Sequence, residues 1–137
     1  MSLTTTDRLD ILDVITRADQ AATSRDADAY VRLFTEDAVL DGAQGRHAGR
    51  EALRAGVGPV WAAEGPATVH LTLNPVVEAA DGEDGPQAIA RSILLIVDPA
   101  APASIRTVAA ITQALTRREG EWLIARRTVA SVPGANH

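Results

Sequence analysis

The stretch Ala88-Ile89-Ala90-Arg91-Ser92-Ile93-Leu94-Leu95-Ile96-Val97 reads as a strand whose last five residues are all apolar. A short apolar run rich in Ile and Val and bounded by turn residues is the pattern of a buried strand. Before it, Asp81-Gly82-Glu83-Asp84-Gly85-Pro86 is a turn cluster, and Ala67 to Ala79 is rich in β-branched residues. After it, Pro99 to Pro102 is a loop and Ile105 to Leu115 is another strand. Arg117-Arg118-Glu119-Gly120 turns the chain into a last strand, Trp122 to Val132. Four long strands joined by turns predict an antiparallel meander.

Upstream the period changes. Ile11, Ile15, Ala18 and Ala22 fall at i, i+4, i+7 and i+11, with Leu12 widening the stripe, so the first segment is helical. Thr6 before Asp7 predicts an N-cap with an acid in the first turn. Ser24-Arg25-Asp26 breaks the pattern, and Asp26 can cap a short second helix with Tyr30, Leu33 and Phe34 as its apolar set. Ala38-Val39-Leu40 reads as a short strand and Asp41 to Gly45 as a turn. Gly49 can start a third helix through Glu51, Ala52 and Leu53, which Gly56, Gly58 and Pro59 are predicted to stop or kink. Helices first and strands after predict an α+β fold with the helices segregated to one face of the sheet.

Composition sets the limits. A chain of 137 residues predicts one domain over 1–137. At that size about two-thirds of the unfolded chain's surface is buried on folding. The apolar share of 46% and charged share of 23% are ordinary, which excludes a disordered, collagen-like or coiled-coil chain. No window approaches 18 apolar residues, so no membrane span is expected. The N-terminal stretch has no apolar run after a basic start, which predicts no secretory signal and a cytoplasmic location. Cysteine is absent, excluding disulfides, thiolate catalysis and cysteine metal sites. All 13 basic residues are Arg, so Lys-based Schiff-base chemistry is excluded. A net charge of −5 and a sparse aromatic content argue against nucleic-acid binding. Gly-rich phosphate loops, nucleophile elbows and His-Glu-x-x-His are all missing. The three histidines, His47, His70 and His137, are far apart, so no metal is expected.

The order of elements, in this length, resembles the nuclear transport factor 2-like superfamily, and within it the SnoaL-like group. The likeness is carried by Leu33-Phe34-Thr35-Glu36-Asp37-Ala38-Val39-Leu40-Asp41, Gly49-Arg50-Glu51-Ala52-Leu53, His70-Leu71-Thr72-Leu73-Asn74-Pro75-Val76-Val77-Glu78 and Gly120-Glu121-Trp122-Leu123-Ile124-Ala125-Arg126-Arg127. The resemblance implies a cone: a curved antiparallel sheet wrapped around three helices and open at its mouth. It also implies a homodimer through the outer sheet face, and no cofactor. The group hosts dehydratases, isomerases, cyclases, hydrolases and non-catalytic modules, so fold does not settle function.

His70 is the first candidate for chemistry. Hydratase-like relatives place a catalytic His in this strand block, facing the cavity. Imidazole as a class titrates near neutrality and can move a proton off carbon and onto a leaving hydroxyl. His70, Thr72 and Asn74 share one strand face, Leu71 and Leu73 the other. Relatives also carry an orienting Asp on the first helix, at a position that here reads Thr23. Asp19, one turn earlier, is the geometric substitute. Asp41 lies where isomerases place a base, one residue before the matching position, and it equally suits a turn initiator before Gly42. Tyr30 is a candidate hydrogen-bond donor to ligand, or a core residue of the Leu33/Phe34 stripe. Trp61 lies in the segment that lids the mouth in relatives, and Trp122 holds a packing position. Thr72, Asn74, Arg91, Thr112 and Gln113 are candidate lining groups. Of Arg126 and Arg127 only one can face inward; Arg127 is taken as the lining candidate, and an inward Arg suits an anionic substrate.

Two classes of function follow. One is a cofactor-independent dehydratase or isomerase acting on a small apolar oxygenated, polyketide- or steroid-like molecule, with His70 as general acid/base. The other is a non-catalytic ligand-binding or dimeric interaction module. An accessory subunit like the small subunits of ring-hydroxylating dioxygenases is a third reading.

Overall fold

The structure is a computed structural model that describes residues 2–42, 44–81 and 87–132. Helix α1 (Thr5–Thr23) leads into the short α2 (Ala27–Val31). Strands β1 (Phe34–Gly42) and β2 (Gly45–Ala48) form a hairpin, and α3 (Arg50–Glu64) returns across the sheet. Four strands finish the chain: β3 (Val69–Ala79), β4 (Ala88–Asp98), β5 (Ser104–Arg118) and β6 (Glu121–Ser131). The predicted turn at 81–86 falls, beyond Asp81, outside the described residues.

The sheet order is β2-β1-β6-β5-β4-β3. The predicted meander is present: β3, β4, β5 and β6 pair antiparallel in succession. β1 pairs with β6 in parallel, so the sheet is mixed, not antiparallel throughout. Register shifts interrupt four pairings, at Phe34/Val39, Leu73/Val76, Ile96/Val97 and Ala114/Leu115. Each such irregularity bends its strand and raises the local twist. The result is a curved, unclosed sheet with the helices inside the curve.

Helix α1 starts earlier than its sequence suggests. Thr4, not Thr6, is the N-cap, and Thr4 and Asp7 form a reciprocal capping box. The backbone N–H of Asp7 donates to Thr4 Oγ1 at 3.0 Å, and that of Thr4 to Asp7 Oδ2 at 2.9 Å. The first reading failed because the helix-forming stripe begins at Ile11 and says little about the preceding turn. The Trp122 indole also donates to Asp7 at 3.3 Å, tying the start of β6 to the start of α1. These hydrogen bonds, the Thr4 backbone bond foremost, hold the Asp7 carboxyl below the ordinary carboxylate range despite its burial. Thr4→Ala removes one half of the box and is expected to cost about 1 kcal/mol, read as a lower urea midpoint at unchanged slope. No change in midpoint would show that the box adds nothing to the helix already packed in place.

The core lies between the helices and the concave face. Ile11, Ile15, Ala18 and Ala22 are buried, as the period predicts, against Phe34, Leu53, Leu115 and Ile124. A smaller cluster of Leu94, Ile96, Ala109 and Ile111 fills the far end of the sheet. β3 is an edge strand, and α1 covers it. The Thr23 hydroxyl accepts from the His70 backbone N–H at 3.0 Å, and the Arg8 guanidinium donates to the Val77 carbonyl. Two backbone groups of the exposed edge thereby gain partners.

Candidate functional site

Helix α3 runs on through Gly56, Gly58 and Pro59 to Glu64. Proline inside a helix forfeits one backbone hydrogen bond and often ends the helix, but here packing of Leu53, Val57 and Trp61 against the core holds it. This correction matters most for the site, because the extra turns carry Trp61 and Glu64 inside. Gly56 has a separate role. A Cβ there would come within 2.5 Å of the His47 ring, so the missing side chain lets β2's imidazole lie against α3.

A cavity of about 190 Å³ opens between α3, α2 and the concave face of the sheet. Its apolar wall is Leu40, Val57, Val60, Trp61, Leu94, Ile96 and Val129. Tyr30, Glu64, His70 and Arg127 supply the polar interior, and His47 and Gln44 come from the β1–β2 hairpin.

His70 is 7% exposed, and its Nε2 lies 2.8 Å from Glu64 Oε1, a carboxylate only 12% exposed. An ionised carboxylate only accepts, so Nε2 carries the proton of this bond, and the ring in its neutral form keeps its lone pair on Nδ1. Nδ1 is buried and has no hydrogen-bond partner among the described residues. The geometry around this pair is fixed from behind. Gly65, at φ +129°, ends α3, and Arg25 donates to the Gly65 carbonyl at 2.9 Å and to Thr68 Oγ1 at 2.7 Å. Thr23, at the position where the resemblance leads one to look for an Asp, holds the His70 backbone instead of its ring.

Tyr30 packs its ring 5.0 Å from Phe34 and edge-on to Trp61 at 5.3 Å. Burial pushes its phenol above the ordinary range; Asp19 and Glu64 add to the rise and Arg127 opposes it. The phenol therefore keeps its proton and remains a donor. Arg127 is 3% exposed and lies over the Tyr30 ring, 5.8 Å from guanidinium carbon to centroid. Arg126, its neighbour, points out and donates to Asp41 at 3.2 Å.

Of the residues singled out in the sequence, Tyr30, Trp61, His70 and Arg127 line the cavity. The rest do not. Asp41 is half-exposed and engaged by Arg126 on the outside, because the alternation of β1 turns its side chain away from the wall that Leu40 and Gly42 form. Asp19 is buried on α1, but the carboxylate bonded to His70 is Glu64; Asp19 Oδ1 has no partner among the described residues. Asn74 is exposed at φ +55° where the β3–β4 register slips, so the polar row His70–Thr72–Asn74 breaks after Thr72. Thr72 stays half-buried beside the lining. Arg91 is on the outer face, 3.4 Å from Glu78. Gln113 is fully buried across from Arg127 but not at the cavity. Glu64 was missed in the sequence. Its signal was spacing: one helical repeat of Leu53, Val57 and Trp61 extends the inward stripe to position 64. Among the described residues no three His, Asp or Glu side chains gather as a metal site.

The SnoaL-like domain family model matches residues 4–128. The chain belongs to the SnoaL-like family. No curated protein matches it. Among solved structures, this SnoaL-like chain is similar to a protein of unknown function with a cystatin-like fold from Nostoc punctiforme PCC 73102. That pair is 23% identical over 98% of this chain and 97% of the other, with a TM-score of 0.85. An NTF2-like protein with a cystatin-like fold from Novosphingobium aromaticivorans is 24% identical over 96% and 85%, TM-score 0.78. ActVI-ORFA from Streptomyces coelicolor is 20% identical over 92% and 97%, TM-score 0.76. At these identities the likeness is one of fold. The SnoaL-like domain and its NTF2-like neighbours fit a small-molecule-binding fold, and no helix among the described residues is long and apolar enough to cross a membrane.

Proposed function

We propose that this SnoaL-like domain is a cofactor-independent proton-transfer enzyme of the dehydratase or isomerase type, acting on a small apolar oxygenated molecule. One observation carries the reading: a buried imidazole that lines an apolar cavity, with Nε2 held by a carboxylate and Nδ1 without a partner among the described residues. His70 Nδ1 takes a proton from the carbon beside a carbonyl, and the C–H electrons pass to the oxygen as an enolate. The imidazolium, stabilised by Glu64, returns the proton to the same carbon, to a more distant carbon, or to a hydroxyl that leaves as water. The cavity is smaller than the roughly 300–1,000 Å³ of sites for drug-sized ligands. A ligand of one or two rings suits its enclosed part better than a whole steroid.

Deuterium uptake from D₂O at the acidic carbon of 2-tetralone tests this. Wild-type protein is expected to accelerate exchange, and His70→Gln to leave the buffer rate. Equal rates for the two proteins would remove the proton-transfer reading.

The same proposal includes a homodimer. Leu71, Leu73, Val76, Ile105 and Val108 stand 38–62% exposed on the convex face of β3 and β5. Contiguous apolar surface of this kind is typically covered by a partner, here a second copy. Sedimentation equilibrium is expected to give twice the chain mass, and Val108→Asp to give a monomer. A monomeric wild type would refute this.

A further inference from the structure

Arg127 is not needed for the proton transfer just described, yet it is the one Arg buried to below a tenth among the described residues. The other arginines that pair with carboxylates, such as Arg17, Arg91 and Arg126, are themselves exposed. Arg127 makes none within 4 Å, and its Nη1 is buried without a hydrogen-bond partner among the described residues. Leaving a charge unpaired in a protein interior is strongly unfavourable, so such a group is retained where something else pairs it.

The surroundings say what that is. One face of the guanidinium lies over the Tyr30 ring, which leaves its N–H edge for acceptors in its own plane. Two carboxylates lie near enough to act on the Tyr30 phenol, Asp19 and Glu64. Glu64 is engaged by His70 at 2.8 Å, and no ion pair within 4 Å joins Asp19 to Arg127 among the described residues, where Asp19 Oδ1 has no partner. Most of the remaining chamber wall, including Leu40, Leu94 and Val129, is apolar, and no hydrogen bond joins its polar members Gln44, His47 and Thr107 to Arg127 among the described residues. Gln113, opposite Arg127 across the β5–β6 ladder, is buried with its own amide unpartnered among the described residues and so does not accept from Arg127 either, which leaves the acceptor to come from the ligand.

We propose that Arg127 anchors the carboxylate of a compact ring carboxylic acid whose apolar body fills the cavity. The planar fork of a guanidinium matches a carboxylate's two oxygens. This assignment rests on the cavity's being the ligand site but not on catalysis, since it concerns binding alone.

Calorimetric titration with 2-naphthoate, 2-naphthamide and 2-naphthylmethanol tests it on wild type, Arg127→Met and Arg127→Lys. The three probes share one ring system and differ in charge. Wild type is expected to bind the carboxylate about tenfold or more tighter than the amide or alcohol. Arg127→Met should lose that preference while holding the amide within about threefold, and Arg127→Lys should retain part of it. Naphthoate should raise the melting temperature of wild type and not of Arg127→Met. The Met variant alone should melt no lower than wild type, because it removes an uncompensated buried charge. If wild type binds all three probes alike, or if Arg127→Met keeps the preference, the anchor is wrong and the cavity reading stands. If none of the three binds wild type, both fall. Should Arg127→Met fail to fold, the Lys variant decides: an undiminished preference for carboxylate over amide with a point charge in place of the fork overturns the proposed pairing geometry.

Discussion

His70→Ala is expected to slow deuterium exchange into 2-tetralone by about 10²- to 10⁴-fold, the range for losing a positioned general base. Glu64→Gln should be nearly as damaging. The amide can donate its NH₂ to Nε2, which moves the ring proton to Nδ1 and leaves no lone pair facing the ligand. A wrong tautomer in a comparable triad costs about 10⁴-fold. The two residues act as a unit, so the double variant should be no slower than His70→Ala alone. Full additivity would mean that Glu64 acts elsewhere than on His70, despite the 2.8 Å contact.

Phe34→Ala is expected to cost about 3–5 kcal/mol, the usual range for emptying a buried aromatic site. Phe34 is fully buried at the point where α2 gives way to β1, and it abuts the Tyr30 ring. Its register partner across the parallel seam is Ile124, and its carbonyl accepts two bonds from Arg50, at 3.0 and 2.6 Å. With few other aromatics in the chain, little nearby can collapse into the space. Urea unfolding should show the midpoint falling at unchanged slope. A cost under about 1 kcal/mol would place the core's weight elsewhere.

The strands were the legible half of the fold. Ala88–Val97 and its neighbours announced themselves because long runs of Ile, Val and Leu between turn residues have few other solutions. The parallel seam between β1 and β6 was not legible, since nothing local in Phe34–Gly42 says which strand it will meet. Strand alternation grouped His70 with Thr72 and Asn74 on one face, and the family resemblance turned that face inward; the grouping fails at Asn74, because a register slip resets the face count and leaves no clear mark in composition. Alternation also said that only one of Arg126 and Arg127 could turn in, and the structure makes it Arg127. Gly56-Val57-Gly58-Pro59 misled most. A rule about isolated helices ended α3 early, whereas tertiary contacts through Val57 and Trp61 carry it to Glu64. The carboxylate sought on α1 is thus supplied by α3, from a position beyond the residues expected to stop or kink that helix.

The most direct test of the His70–Glu64 site is a long-range ¹H–¹⁵N correlation spectrum of the His70 imidazole, with and without 2-tetralone. The account predicts a neutral ring protonated on Nε2, with the Nδ1 resonance moving when the ligand enters and the Nε2 proton remaining bonded to Glu64. A ring protonated on Nδ1, or an Nδ1 resonance indifferent to a ligand that binds, would contradict it.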